Sequence, residues 1–324
     1  MISRRFALVC CFAFSALVAA RGEESDVLLF AYFTQNGADG LHLAWSNDGF
    51  RWEKLADGAS VLRPTIGAKE KLMRDPSVAR GPDGTFHVVW ASGWWERGIG
   101  YASTKDFIHW STPREIPVMA RESAARNCWA PEIVWDPDAA EFLILWATTI
   151  PGCFSAGAES SEDGLNHRIY YTATKDFATF TPARVLFDFG FSAIDATLLK
   201  SGRDWHLFFK DETRYPHPAK NLLHATGPSA RGPFTRVSKP FSPAKLWTEG
   251  PSVVRVGGEY LLYFEAYIEK HYGVLRSHDL EHWEDATRQL RLPDEGTPQR
   301  PRHGTVIAVP REIVRALQPL KLAP

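Results

Sequence analysis

Three carboxylates stand at the head of three short apolar runs: Asp75 in RDPSV, Asp195 in IDATL and Glu249 in TEGPSVV. Two further runs of the same kind open with WAPEI at Trp129 and HGTVI at His303. The interiors of these runs hold Val, Leu and Ile, so the titratable groups are confined to the starts. Carboxylates that converge on one point do acid–base work: one keeps a proton near neutral pH while another stays ionised to activate water. Glu249 suits the first role. Trp247 flanks it, and desolvation together with a second negative charge, here Asp195, raises a carboxyl pKa. Asp75 is the third carboxylate of the set. An Asp before a proline also caps turns by accepting nearby backbone N–H groups. That competing reading accounts for Asp75 taken alone, not for Asp195 and Glu249 at matching points of other runs. Arg74 precedes Asp75, and strand alternation sends it to the opposite face.

Positioning these groups requires a repeated element. Five segments share a small-residue strand, an acidic or Gly-containing turn and an aromatic; GLHLAWSNDGFRWEKL, IGYASTKDFIHWSTP and GVLRSHDLEHWEDA are three of them. Each follows an alternating β-branched or aromatic run such as TFHVVWAS or YLLYFEAY. Before four of those runs lies another short strand and a tight Pro-Asp-Gly, Gly-Arg-Asp or Gly-Gly turn, the chemistry a hairpin needs. Each unit reads as a four-stranded antiparallel sheet. The unit at Gly40 lacks a leading strand, and RHGTVIAVP at residues 302–310 supplies it from the other end of the chain. The prediction is an all-β, five-bladed β-propeller whose fifth blade is closed by N- and C-terminal strands. Closure removes long exposed edges. The first strand of each blade lines the central channel, so Asp75, Trp129, Asp195, Glu249 and His303 meet at one rim.

The 324 residues carry 37 basic and 38 acidic side chains with no long run of one sign. That excludes the basic stripe of a nucleic-acid partner. Twelve Trp and 13% aromatic residues exceed what a core requires, although β-rich cores also absorb such rings. Arg4 and Arg5 precede an apolar run from Phe6 to Ala20, too short to span a bilayer comfortably. Residues 1–20 are therefore expected to be a signal peptide. Residues 21–324 are expected to form a single exported domain, periplasmic or extracellular, monomeric and without a membrane partner. Cys128 and Cys153 then remain, either as one disulfide pinning the loop 149–167 over the channel mouth or as two free thiols.

RDPSV, WAPEIVWDP, IDATL, EGPSVV and the closing RHGTV, in that order, resemble glycoside hydrolase family 43, the arabinofuranosidase and xylosidase group. The likeness runs across roughly residues 40–306. RDP also occurs in related fructan-cleaving propellers, but their early Trp-Met-Asn-Asp-Pro-type motif is missing here. The resemblance implies an inverting mechanism, with Asp75 as general base, Asp195 as orienting residue and pKa modulator, and Glu249 as general acid. Inversion needs roughly 6.5–9.5 Å between the Asp75 and Glu249 carboxyls, leaving room for a water. It further implies no required cofactor, and a calcium ion or a water near His303. Trp94, Trp95 and Trp129 are candidate stacking platforms for a sugar ring. Asn127, Asn166, His167, Lys210, Arg302 and His303 are candidate polar contacts. The implied activity is release of terminal pentose-type sugars from a plant- or algal-type polysaccharide, α-L-arabinofuranosidase first, β-xylosidase or galactofuranosidase next. A non-catalytic glycan-binding propeller is the competing reading.

Overall fold

Residues 26–320 are described by a computed structural model, in which the strands gather into five antiparallel sheets. The expected signal peptide lies outside the described residues. Blade 1 runs Arg74–Arg80, Phe86–Ala91, Ile99–Thr104 and Arg114–Ile116. Blade 2 runs Trp129–Asp136, Glu141–Thr148, Arg168–Thr174 and Arg184–Phe187. Blade 3 has Ala193–Ser201, Asp204–Asp211 and Asn221–Gly227. Blade 4 has Thr248–Val256, Glu259–Ala266, His271–Ser277 and Glu284–Asp285. In blade 5, Arg302–Val309 pairs with Val27–Phe33, which pairs with His42–Ser46 and then Glu53–Lys54. The five inner strands touch one another in a closed ring, in the order of blades 1, 2, 3, 4 and 5. The architecture is a five-bladed β-propeller.

Alternation explains how the blades cohere. Along Leu261–Phe264, Leu261 and Tyr263 join the apolar cluster shared with blade 5, while Leu262 and Phe264 join the one shared with blade 3. Successive side chains point to opposite sheet faces, so every middle strand feeds two interfaces. Five buried clusters result, one between each adjacent pair of blades. A short helix, Arg311–Leu317, follows the closing strand and buries Val314 and Leu317 at the interface of blades 5 and 1.

The repeated sequence turn is structural. In Ser46-Asn-Asp48, the Asp48 carboxylate accepts the N–H groups of Phe50 and Arg51, and the Ser46 hydroxyl accepts the N–H of Gly49. The same bonds recur at Thr104 and Asp106, Thr174 and Asp176, and Ser277 and Asp279. This turn passes the chain from third to fourth strand. The corresponding TGPSARGPF of blade 3 has no such Asp. There the four-stranded expectation fails: blade 3 has three strands, with only an isolated bridge between Thr226 and Thr235 beyond them.

Candidate active site

Every inner strand breaks register at the same point. Paired to its neighbour, blade 1 skips from Arg74 to Ser77, blade 2 from Trp129 to Glu132, blade 3 from Ile194 to Thr197 and blade 4 from Glu249 to Ser252. In blade 5 the residues opposite Phe33 and Ala31 are Arg302 and Thr305. Each strand thus carries a bulge of one extra residue. The first bulged residue has left-handed backbone in four blades: Asp75 (φ 49°), Ala130 (φ 43°), Asp195 (φ 57°) and Gly250 (φ 60°). Asp tolerates that conformation better than most residues because its short side chain bonds locally.

The bulge decides the site. It turns two consecutive side chains into the funnel, where a regular strand would present one. The residues before it (Arg74, Trp129, Ile194, Glu249, Arg302) all line one cavity of about 420 Å³, as do the bulged Asp75, Asp195 and His303. Glu249 therefore occupies the position of Arg74 rather than that of Asp75 and Asp195. Arg74, expected on the opposite face, shares the cavity with its neighbour.

Asp75, Asp195 and Glu249 come together here, and their surroundings separate their proton affinities. Burial pushes Asp75 up, but the His303 imidazole, 3.4 Å from Oδ1, with Arg74 and Arg302, holds it below the ordinary carboxylate range. Burial also raises Glu249; Lys210 opposes this, Asp195 and Glu265 reinforce it, and the result is about 7. Asp195 is raised by burial and by the charge on Asp75, against His303 and Lys210, and its Oδ2 accepts the Gly250 N–H at 3.0 Å. His303 is pushed down by burial but up, to about 9, by Asp75, Asp195 and Glu249.

A chain of alternating charge runs outward from Glu249. Lys210 bonds Glu249 at 3.0 Å and Glu212 at 2.8 Å; Lys220 bonds Glu212, and Glu162 at 2.7 Å; Arg214 lies 3.4 Å from Glu162. Glu162 belongs to the loop 149–167, so this network ties that loop over the cavity. Both lysines are almost completely buried. Lys210 also lines the cavity, with Tyr267 against its ammonium at 4.4 Å. Arg302 donates to Glu265 at 3.0 Å and reaches within 3.8 Å of Glu249. Glu265, fully buried, also accepts the His303 N–H and binds Arg300.

Trp94 and Trp129 line the cavity, and the Trp129 indole donates to the Trp94 carbonyl at 2.6 Å. Trp95 lies outside the wall, 47% exposed, its ring 5.6 Å from that of Trp129. Asn127 and His167 do not line the cavity, which corrects two expected contacts. Asn127 is spent on Ala147 and Thr149, fastening the entry of blade 2 to its second strand. His167 is buried behind Trp129, and burial lowers its pKa to about 4. Asn166 is likewise taken up by Phe154, Ala156 and Arg168. Cys128 is buried and Cys153 exposed, both as free thiols, so the disulfide alternative is not realised. Glu265, Lys220 and Glu162 were missed. Glu265 alone left a trace, as the one acid inside the apolar strand YLLYFEAY.

A calcium ion at His303 does not fit the residues present. His303 turns its Nδ1 to Asp75 at 3.4 Å, so that nitrogen faces a carboxylate and not an open position. Calcium takes 6–8 oxygen ligands, and one oxygen each of Asp195 and Glu249 is engaged by Gly250 and Lys210. Among the described residues no three His, Cys, Asp or Glu side chains are grouped to hold a metal ion.

Gly250 is the tightest point of the site. A Cβ there would lie 2.6 Å from the His303 ring, and φ is +60°. Gly250→Ala is expected to displace that ring from Asp75 and lower kcat at least tenfold with a modest fall in Tm; steady-state kinetics on the purified variant checks this.

A ring of acids and cations thus stands at the mouth of a five-bladed propeller. A glycosyl hydrolase 43-related family model, described as "Probable glycosyl hydrolase domain", matches residues 23–314, and the chain belongs to that family. It is 23% identical over 262 residues to an α-L-arabinofuranosidase of Bifidobacterium longum subsp. longum, an alignment covering 68% of this chain and 24% of that protein. The chain thus spans about a quarter of the curated relative it matches. The fold is shared with a xylan β-1,4-xylosidase from Bacillus halodurans (TM-score 0.54, 17% identity, 70% of this chain and 44% of the other). It is also shared with the catalytic domain of a Coprinopsis cinerea α-L-arabinofuranosidase (TM-score 0.51, 16% identity, 75% and 76%).

Proposed function

We propose that the protein is an exported glycoside hydrolase that removes terminal pentose-type sugars by inversion, with α-L-arabinofuranosidase activity as the first choice. One observation carries this reading. Asp75 and Glu249 face a single cavity from strands two places apart in a ring of five, which is as far apart as that ring allows. Their proton affinities are driven in opposite directions. Inverting hydrolysis needs such a pair, one acid on the leaving oxygen and one base on a water across the sugar. Asp195 orients the pair by fixing the Gly250 N–H beside Glu249 and keeping negative charge near it. His303 and Arg302 hold Asp75 ionised.

A product assay on arabinan, arabinoxylan, xylan and aryl galactofuranosides, with the first-formed anomer followed by NMR, tests the reading. The expected result is release of free arabinose with inverted configuration. Retention of configuration would reassign Asp75 as nucleophile. Glycan affinity without release from any substrate would leave a binding propeller.

A further inference from the structure

We propose that Arg74 determines which sugar the cavity accepts, by donating two hydrogen bonds to adjacent hydroxyl oxygens of the ring bound beside Asp75. The inference deepens the hydrolase reading and rests on it.

Arg74 stands apart from the other long cations of the site. Lys210, Lys220 and Arg302 each have a carboxylate within 4 Å, whereas no such pair includes Arg74 among the described residues. It is nonetheless buried at 7% exposure, and burial lowers its pKa. A buried guanidinium with no carboxylate in direct contact is costly to keep unless its N–H groups are satisfied, and the nearby charge of Asp75 meets only part of that need. One is: Nη1 donates to Asn36 Oδ1 at 2.8 Å. None of the others is sealed away without a partner, and the side chain lines the cavity, so the rest of the fork faces its interior.

That fork is held in a fixed plane. The Trp94 ring lies 4.1 Å from the guanidinium carbon and the Phe33 ring 4.9 Å. Trp94 is itself held by the Trp129 indole and by Glu70, which accepts its N–H at 2.8 Å. Stacking fixes the tilt and Asn36 fixes the rotation, so little freedom is lost when a ligand binds. The bulge puts this fork one residue from Asp75 and on the same side. A sugar whose reacting carbon lies over the Asp75 water therefore presents neighbouring ring oxygens to Arg74. Asp75, one residue from the fork, repels a carboxylated sugar at this point of the wall, which leaves adjacent hydroxyls as the matching acceptor.

The test pairs Arg74→Lys and Arg74→Met with aryl glycosides of the released sugar lacking one hydroxyl at a time, plus the corresponding uronide. Wild type is expected to lose about 10²–10³-fold in kcat/KM on at least one deoxy analogue. Arg74→Lys should lose a similar factor on the parent compound and little more on that analogue, with an unchanged Tm. Asn36→Ala, which frees the fork without removing it, should lose about tenfold with the same insensitivity to deoxygenation. Equal losses on the parent and every analogue, or no loss at all, would overturn the assignment. An Arg74-dependent preference for the uronide would overturn the choice of hydroxyls. If wild type hydrolyses none of these compounds, the hydrolase reading alone falls. Calorimetry of the parent and deoxy sugars with wild type and Arg74→Lys then decides the role of Arg74, and equal affinities refute it.

Discussion

Asp75→Asn is expected to lower kcat/KM on an aryl arabinofuranoside by about 10⁴-fold, the upper end of what a positioned general base contributes. The amide nearly matches the carboxylate in size, so the bulge and the contact with His303 should persist. What disappears is the ability to take a proton from water. Because the deficit lies in water activation, a reactive leaving group should not rescue the variant. Added azide, which attacks without deprotonation, should restore part of the rate and yield a glycosyl azide of inverted configuration. A loss below tenfold, measured by single-turnover kinetics, would remove Asp75 from the mechanism.

Glu249→Gln is expected to cost about 10³-fold on natural linkages and far less on nitrophenyl glycosides, whose leaving groups need no proton. The pH profile supplies a second check. An acid works only while protonated, so kcat/KM of the wild type should fall as pH rises through about 7. A base works only while ionised, so the acidic limb should lie below the ordinary carboxylate range, where Asp75 is held. Glu249→Gln should abolish the alkaline limb and leave the acidic one. Lys210 contacts Glu249 at 3.0 Å and opposes its protonation, so Lys210→Met should move the alkaline limb upward. An alkaline limb unchanged in Glu249→Gln would assign that proton to another group.

Much of the architecture was legible because it depends on local rules. Period-2 alternation located the strands, Gly- and Asp-bearing turns located the hairpins, and the orphan strand at 302–310 gave the ring order. Asp75, Asp195, Glu249 and His303 stood out because they head apolar runs, and Arg302 came with the resemblance carried by RHGTV. Arg74 was misassigned because alternation assumes an unbroken strand, and a bulge reverses the facing of every residue before it. Asn127 and His167 were chosen by proximity in sequence to Trp129 and to the loop, yet their surroundings are set by neighbouring strands. The salt-bridge chain through Lys220 and Glu162 joins residues 58 positions apart, a distance no local pattern encodes.

The pairing of Val27–Phe33 with Arg302–Val309 has a consequence for biogenesis. Arg302 and His303, two of the cations that lower the pKa of Asp75, stand on a strand that follows the four other inner strands in sequence. A nascent chain that has already made blades 1 to 4 possesses all three acids, with Arg74 and Lys210 beside them, but lacks the His303 and Arg302 that complete the charge around Asp75. Closure of the ring and completion of the charge around Asp75 are thereby one event, set by the pairing of residues 27–33 with residues 302–309.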